Sequence, residues 1–131
     1  MRRGATLLIA GLGAALSITS ARAQFAVPGQ TAAPDPATLF LNQCGTCHSA
    51  RQGDGPRQGP NLFGVVGRKA GSFPGFTYSP GFSEVDFVWD EAKLDAYITN
   101  PQAMIKGGVM AYKQANPATR KAIIGWLKEQ H

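Results

Sequence analysis

The sequence predicts an all-α domain in which short helices are separated by long glycine-rich loops that wrap something other than protein side chains. Three observations lead there. A capping side chain opens each periodic stretch, at Asp35, Asp90 and Asn116, with proline next at 36 and 117. A run of 39 residues, Ser49 to Phe87, carries eight glycines and four prolines and keeps neither a period of 2 nor one of 3.6. The two cysteines of the chain sit three positions apart in "CGTCHSA", residues 44 to 50, with a histidine directly after the second.

In chain order, the opening "MRRGATLLIAGLGAALSITSARAQ" has a basic start, an apolar run from Ala5 to Ile18 and the small-residue pattern Ala21-Arg22-Ala23. It reads as a secretory signal over residues 1–23, cleaved after Ala23. The alternative is a retained anchor helix, but the run falls short of the ~20 apolar residues that span a bilayer. Arg2-Arg3 is compatible with twin-arginine export and is equally what any such signal contains. Residues 24–35, with prolines and no apolar periodicity, read as a flexible leader. The domain is expected over 36–131. Its first helix is expected from Pro36 through Leu39 and Phe40 to His48.

The irregular middle follows. So long a stretch without regular structure is anomalous in a compact domain unless it packs on a non-protein body. Periodicity returns in "DEAKLDAYITNP", where Asp90 caps a helix, Leu94, Tyr97 and Ile98 share a face, and Pro101 forces an exit near Asn100. A second irregular run, Met104 to Ala115, leads to a last helix. There Ile123, Ile124 and Leu127 form an apolar stripe beside Trp126, and Lys121 and Lys128 face water.

The chain's 131 residues suit one domain. Its 13 basic against 8 acidic side chains suggest a polyanion binder until the first 23 residues, with Arg2, Arg3 and Arg22, are set aside. The rest carries 10 against 8, close to neutral, so no nucleic-acid partner is expected. With no other stretch of membrane-spanning length, the mature product is expected in the periplasm, without stable membrane insertion and as a monomer. That compartment is oxidising, where two lone cysteines usually pair.

On a helical turn, positions i, i+3 and i+4 project to one side, so Cys44, Cys47 and His48 can converge on one object. A thioredoxin-like pair wants a preceding strand, and none is written before Cys44. Structural zinc wants four ligands, yet the only other histidine is His131 and no cysteine remains. A plain disulfide gives no reason for histidine at the next position. C-x-x-C-H is instead the attachment pattern of one haem c, with both sulfurs bonded to porphyrin vinyl groups and His48 on the iron. The sixth position could be taken by Met104, Met110 or His131, or stay open. Met110 is favoured, because the glycine pair before it lets backbone approach the macrocycle closely.

The blocks "GPNLFGVVGRKAGSFPGFTYS" (59–79), Trp89, "YITNP" (97–101) and "GGVMAY" (107–112), in this order after the cysteines, resemble the class I c-type cytochromes, in particular the mitochondrial and bacterial c2-like branch. The resemblance covers about Phe40 to Leu127. It implies the small class I cytochrome c fold, three to five short helices wrapped around one covalent haem. It further implies that the Pro60 carbonyl orients His48, that Arg68, Tyr78 and Trp89 surround the inner propionate, that Tyr97 lies near the Met110 sulfur, and that Tyr112 covers the exposed haem edge. The chain departs from the family pattern at Phe82, where asparagine is usual, at Gly108 and Val109, and in a thin basic ring reduced to Arg57, Lys106 and Lys113.

The function implied is one-electron transfer without catalysis, between redox proteins such as a membrane cytochrome complex, an oxidase, a reductase or a dehydrogenase. Histidine and methionine together leave no vacancy on iron, and thioether sulfur favours the ferrous state, so a positive potential is expected. Two alternatives are a dedicated electron-transfer subunit of one dehydrogenase, and a haem enzyme or gas sensor in which Met110 leaves the iron.

Overall fold

A computed structural model of the chain describes residues 33–131. The expected export signal, and the leader up to residue 32, lie outside the described residues. Four α-helices follow in order: α1 Pro36–Gln43, α2 Glu91–Thr99, α3 Pro101–Met104 and α4 Pro117–Lys128. One 3-10 turn, Pro80–Glu84, stands in the long loop before α2. No β-strand occurs among the described residues, and one antiparallel bridge pairs Lys69 with Val88.

The helix starts follow the capping chemistry. The Asp35 carboxylate accepts the Thr38 N–H at 2.9 Å, the Asp90 carboxylate that of Lys93 at 2.7 Å, and the Asn116 amide oxygen that of Ala118 at 2.9 Å. Each bond satisfies an amide that the first helical turn leaves without a partner.

Helix α1 stops five residues short of its expected end. Cys44 leaves helical backbone at φ −122°, and glycine, a poor helix former, comes next. The N–H groups of Cys44 and Gly45 still reach the Phe40 carbonyl, at 2.8 and 3.0 Å. A separate turn then closes between the His48 N–H and the Cys44 carbonyl at 2.9 Å, so the anchor motif has its own turn at the end of α1. The one-turn α3 is a second departure. Pro101 ends α2, as its sequence requires, but at a first helical position its missing N–H costs nothing, and the Ile105 N–H closes on the Pro101 carbonyl at 2.9 Å.

The core is built where α4 meets α1 and α2. Ile123, Ile124 and Leu127 are buried along α4, Phe40 on α1, and Leu94 and Ile98 on α2. The Phe40 and Trp126 rings join α1 to α4 with centroids 4.7 Å apart. On the opposite flank of α4, Arg120 forms an ion pair with Asp95 of α2 at 2.7 Å and donates to the carbonyls of Gln114 and Ala115. Lys128 pairs with Glu91. With both ends tied to α2, α4 serves as the back wall of the domain.

The irregular middle is held by specific polar bonds. Asn61, 2% exposed, donates to the carbonyls of Arg51 and Asp54 at 2.7 and 2.8 Å and accepts the Phe63 N–H at 2.8 Å. Ser49 donates to the Asp54 carboxylate. Residues 67 to 70 pair with 87 to 89 through Gly67 to Trp89, Trp89 to Arg68 and Ala70 to Phe87, which brings Trp89 beneath the loops.

Candidate cofactor site

Between the loops and α4 lies a cavity of about 350 Å³. All the residues expected at the site line it, from both ends of the domain, with one exception. Cys44, Cys47, His48 and Pro60 come from the first third, Tyr78, Trp89 and Tyr97 from the middle, and Met110 and Tyr112 from the last irregular run. Its floor is apolar and includes Leu94, Ile98, Ile123 and Leu127. Apart from His48, no lining side chain can carry positive charge, and no carboxylate lines it.

The exception is Arg68. Its guanidinium donates to the carbonyls of Asn61 at 2.8 Å and Phe63 at 3.0 Å and lies over the Phe73 ring, 5.1 Å from its centroid. Burial pulls its pKa below the ordinary value, the Tyr78 hydroxyl opposing. In this structure Arg68 pins the 61–63 segment behind the cavity wall.

His48 is oriented by backbone. Its Nδ1 lies 2.7 Å from the Pro60 carbonyl, and because a carbonyl can only accept, Nδ1 carries the proton. The other nitrogen, Nε2, keeps its lone pair, which is what a metal ligand needs. Burial lowers the His48 pKa and favours the neutral ring, more strongly than the bond to Pro60 raises it. Gly59 packs flat against the imidazole: a Cβ there would fall 2.2 Å from Cε1 and 2.8 Å from Nε2. Only a glycine leaves that side of the ring clear.

The anchor turn is clamped from the same loop. The Gly59 N–H donates to the Cys47 carbonyl at 2.8 Å, and Arg57 donates through Nη1 to the Gly45 carbonyl at 2.7 Å. Cys44 and Cys47 are unpaired thiols, both half-buried. Burial, and then proximity to Cys47, pushes the Cys44 thiol up to about 11. The Cys47 thiol lies 3.0 Å from Oε1 of Gln58, a lining residue that sequence reasoning passed over because a glutamine in a loop carries no spacing signal.

Aromatic rings build the far wall. Trp89 and Tyr97 stand 5.1 Å apart, Tyr78 and Phe82 4.8 Å, and Phe87 meets Trp89 edge to face at 4.9 Å. Burial drives the Tyr97 phenol up to about 12, the Tyr78 hydroxyl adding to it. Phe82, the departure from the family pattern where asparagine is usual, fills this wall with ring surface.

At the mouth, the Tyr112 hydroxyl donates to Oε1 of Gln43 at 2.8 Å and accepts from Nε2 of Gln114 at 3.0 Å. Neither glutamine was singled out from sequence as a partner of Tyr112, since nothing in the spacing connects position 43 with 112. Met104 and His131, the other candidates for a sixth ligand, are not among the lining residues.

The donor set fits a flat, apolar prosthetic group attached at one rim. Two free thiols lie on one turn, an imidazole nitrogen is left open by its partner's bond, and a thioether stands in the same apolar enclosure. No family model matches the chain. Individual relatives do. It is 41% identical over 95 residues to cytochrome c-550 of Novispirillum itersonii, covering 64% of this chain and 86% of the relative. It is 41% identical over 92 residues to cytochrome c2 of Rhodomicrobium vannielii, covering 70% and 74%. The cytochrome c of Sesamum indicum is 37% identical over 92 residues, covering 70% and 83%. The chain belongs to the class I c-type cytochromes, electron carriers that bear one haem c covalently, here through Cys44 and Cys47.

Proposed function

We propose that the protein is a periplasmic one-electron carrier whose haem iron is held between His48 and Met110. The observation that carries this reading is that His48 and Met110, 62 residues apart in sequence, line one apolar cavity, the imidazole with its Nε2 lone pair free. When bound, haem supplies a ferrous–ferric couple that holds or releases one electron.

The chain's own residues set the conditions for that couple. Pro60 holds the imidazole in the tautomer that leaves Nε2 available, so His48 needs no rearrangement to serve as ligand. Cys44 and Cys47 fix the attached edge to the turn after α1. The enclosing rings of Tyr78, Phe82, Trp89 and Tyr97 exclude water and lower the local dielectric, which disfavours an added positive charge. Met110 offers a neutral sulfur that stabilises the reduced state, and with His48 it leaves no place for a substrate or gas. Tyr112 stands at the mouth, where an electron would arrive from a membrane cytochrome complex or a dehydrogenase and leave to an oxidase, a reductase or a photosynthetic centre. Residues 1–23 would direct export, and none of the described helices is long and apolar enough to cross a membrane.

Optical spectra of the mature protein, oxidised, reduced, and reduced under carbon monoxide, test ligation and vacancy together. The expected result is a low-spin spectrum with the thioether-to-iron band in the red and no carbon monoxide binding. Met110→Ala should lose the band and bind carbon monoxide while keeping its haem. A wild type without that band, or a clearly negative midpoint potential, overturns methionine ligation and favours the enzyme or sensor alternative.

A further inference from the structure

The segment that carries Met110 is held unevenly. At its start, the Gly108 N–H is bonded to the Ile105 carbonyl at 3.1 Å. At its end, Gln114 is fixed on three sides: its N–H donates to the Ile98 carbonyl at 2.9 Å, its own carbonyl accepts from Arg120 at 2.9 Å, and its Oε1 accepts the Asn116 N–H at 3.0 Å. Between these posts, residues 109 to 113 make no backbone hydrogen bond among the described residues. Val109 is 81% exposed, Ala111 and Lys113 are exposed, and Met110 is half-buried. One polar tie crosses from this stretch to the other side of the mouth. The Tyr112 hydroxyl, two residues after Met110, donates to Gln43, the residue directly before Cys44, and is itself held by Gln114.

The geometry points to Tyr112, Gln43 and Gln114 as a latch that seats the Met110 segment across the cavity, with Tyr112 a positioning residue for the sixth ligand. The inference rests on Met110 ligation. For Met110 to leave the iron, residues 109 to 113 must swing out between Gly108 and Gln114, and the polar bond that resists this joins position 112 to the end of α1. Tyr112 therefore biases the equilibrium between methionine-on and methionine-off states, in addition to covering the mouth with its ring.

The test uses the haem-loaded protein and imidazole as an added ligand that binds only after Met110 has left. Tyr112→Phe removes the hydroxyl and keeps the ring. It should bind imidazole about fivefold more tightly than wild type, the equilibrium equivalent of one net hydrogen bond. Gln43→Ala should do the same, and the double variant should add little to either single change, as expected of two partners in one bond. If wild type lacks the thioether-to-iron band, the ligation reading fails and the latch with it. If wild type shows the band and Tyr112→Phe binds imidazole with unchanged affinity, the latch alone is overturned, even where unfolding in denaturant shows a loss of stability.

Discussion

The two sides of the cavity are built differently. On the His48 side, the anchor turn is tied down at three points: His48 Nδ1 to the Pro60 carbonyl, the Cys47 carbonyl to the Gly59 N–H, and the Gly45 carbonyl to the Arg57 side chain. The loop that supplies these groups is itself stapled by buried Asn61. On the Met110 side, the proposed ligand rides on five residues without backbone–backbone bonds, steadied through a phenol. The difference teaches that the anchored side is specified by short, stiff contacts that admit one arrangement, whereas the opposite side is specified by a few side chains whose loss need not disturb the fold. Function in an electron carrier is compatible with this asymmetry, because covalent attachment through Cys44 and Cys47 already places the group at one rim.

The most disruptive way to break the comparison is Gly59→Ala. The new methyl would stand 2.2 Å from the imidazole, whose position is fixed by the bond between Nδ1 and the Pro60 carbonyl. We expect a loss of about 3 kcal/mol, at the upper end of overpacking costs, together with poor haem loading. Denaturant unfolding and the haem-to-protein ratio measure the two effects, and a fully loaded variant of wild-type stability would show that the His48 side is not rigid.

Gly81→Ala strikes the other side. Gly81 is buried in the 3-10 turn, and a Cβ would meet the Lys106 carbonyl at 1.9 Å, pushing on the backbone that leads into Gly107 and Gly108. A cost of about 3 kcal/mol is expected, as for Gly59→Ala, because the atom met is backbone. The haem should stay attached and His48 ligated, with the red band weakened and imidazole binding strengthened. Equal damage to haem loading in the two glycine variants would remove the distinction between the sides.

The smallest effect concerns the wall both sides share. Tyr97 titrates near 10 when unfolded and near 12 in the fold, because burial penalises the phenolate. Above pH 10 Tyr97 therefore binds fewer protons in the unfolded chain than in the folded one, so its contribution to stability is constant below pH 10, declines up to about pH 12 and is constant beyond. Denaturant midpoints at pH 9 and 11 should differ in wild type, and Tyr97→Phe should reduce that difference. An undiminished slope in the variant would place the alkaline sensitivity elsewhere.

Much of the site was legible because its signals are local. Cys44, Cys47 and His48 announce themselves by spacing on one turn, and Asp35, Asp90 and Asn116 by capping chemistry that depends on three neighbouring residues. Met110 was favoured over Met104 and His131 by the glycine pair that precedes it, whereas the role of Pro60 came only from the family blocks. Other features were not legible because they depend on contacts between distant segments. The first helix was expected to run to His48 and ends at Gln43, since the anchor motif closes a turn of its own. The helix at Pro101–Met104 and the turn at Pro80–Glu84 are too short to leave a period.

The sequence by itself determined the anchor motif, the three capped helices, and the need for a non-protein body to absorb the glycine-rich loops. These follow from short-range rules of bonding and periodicity, which the chain obeys wherever it folds. Tertiary structure alone decided that Arg68 grips the carbonyls of Asn61 and Phe63 behind the wall, that Gln58 stands against Cys47, and that Gln43 and Gln114 hold Tyr112 over the mouth. A glutamine or arginine has several donors and a flexible stem, so its partner is chosen by what the fold brings within reach, and sequence spacing does not encode that choice.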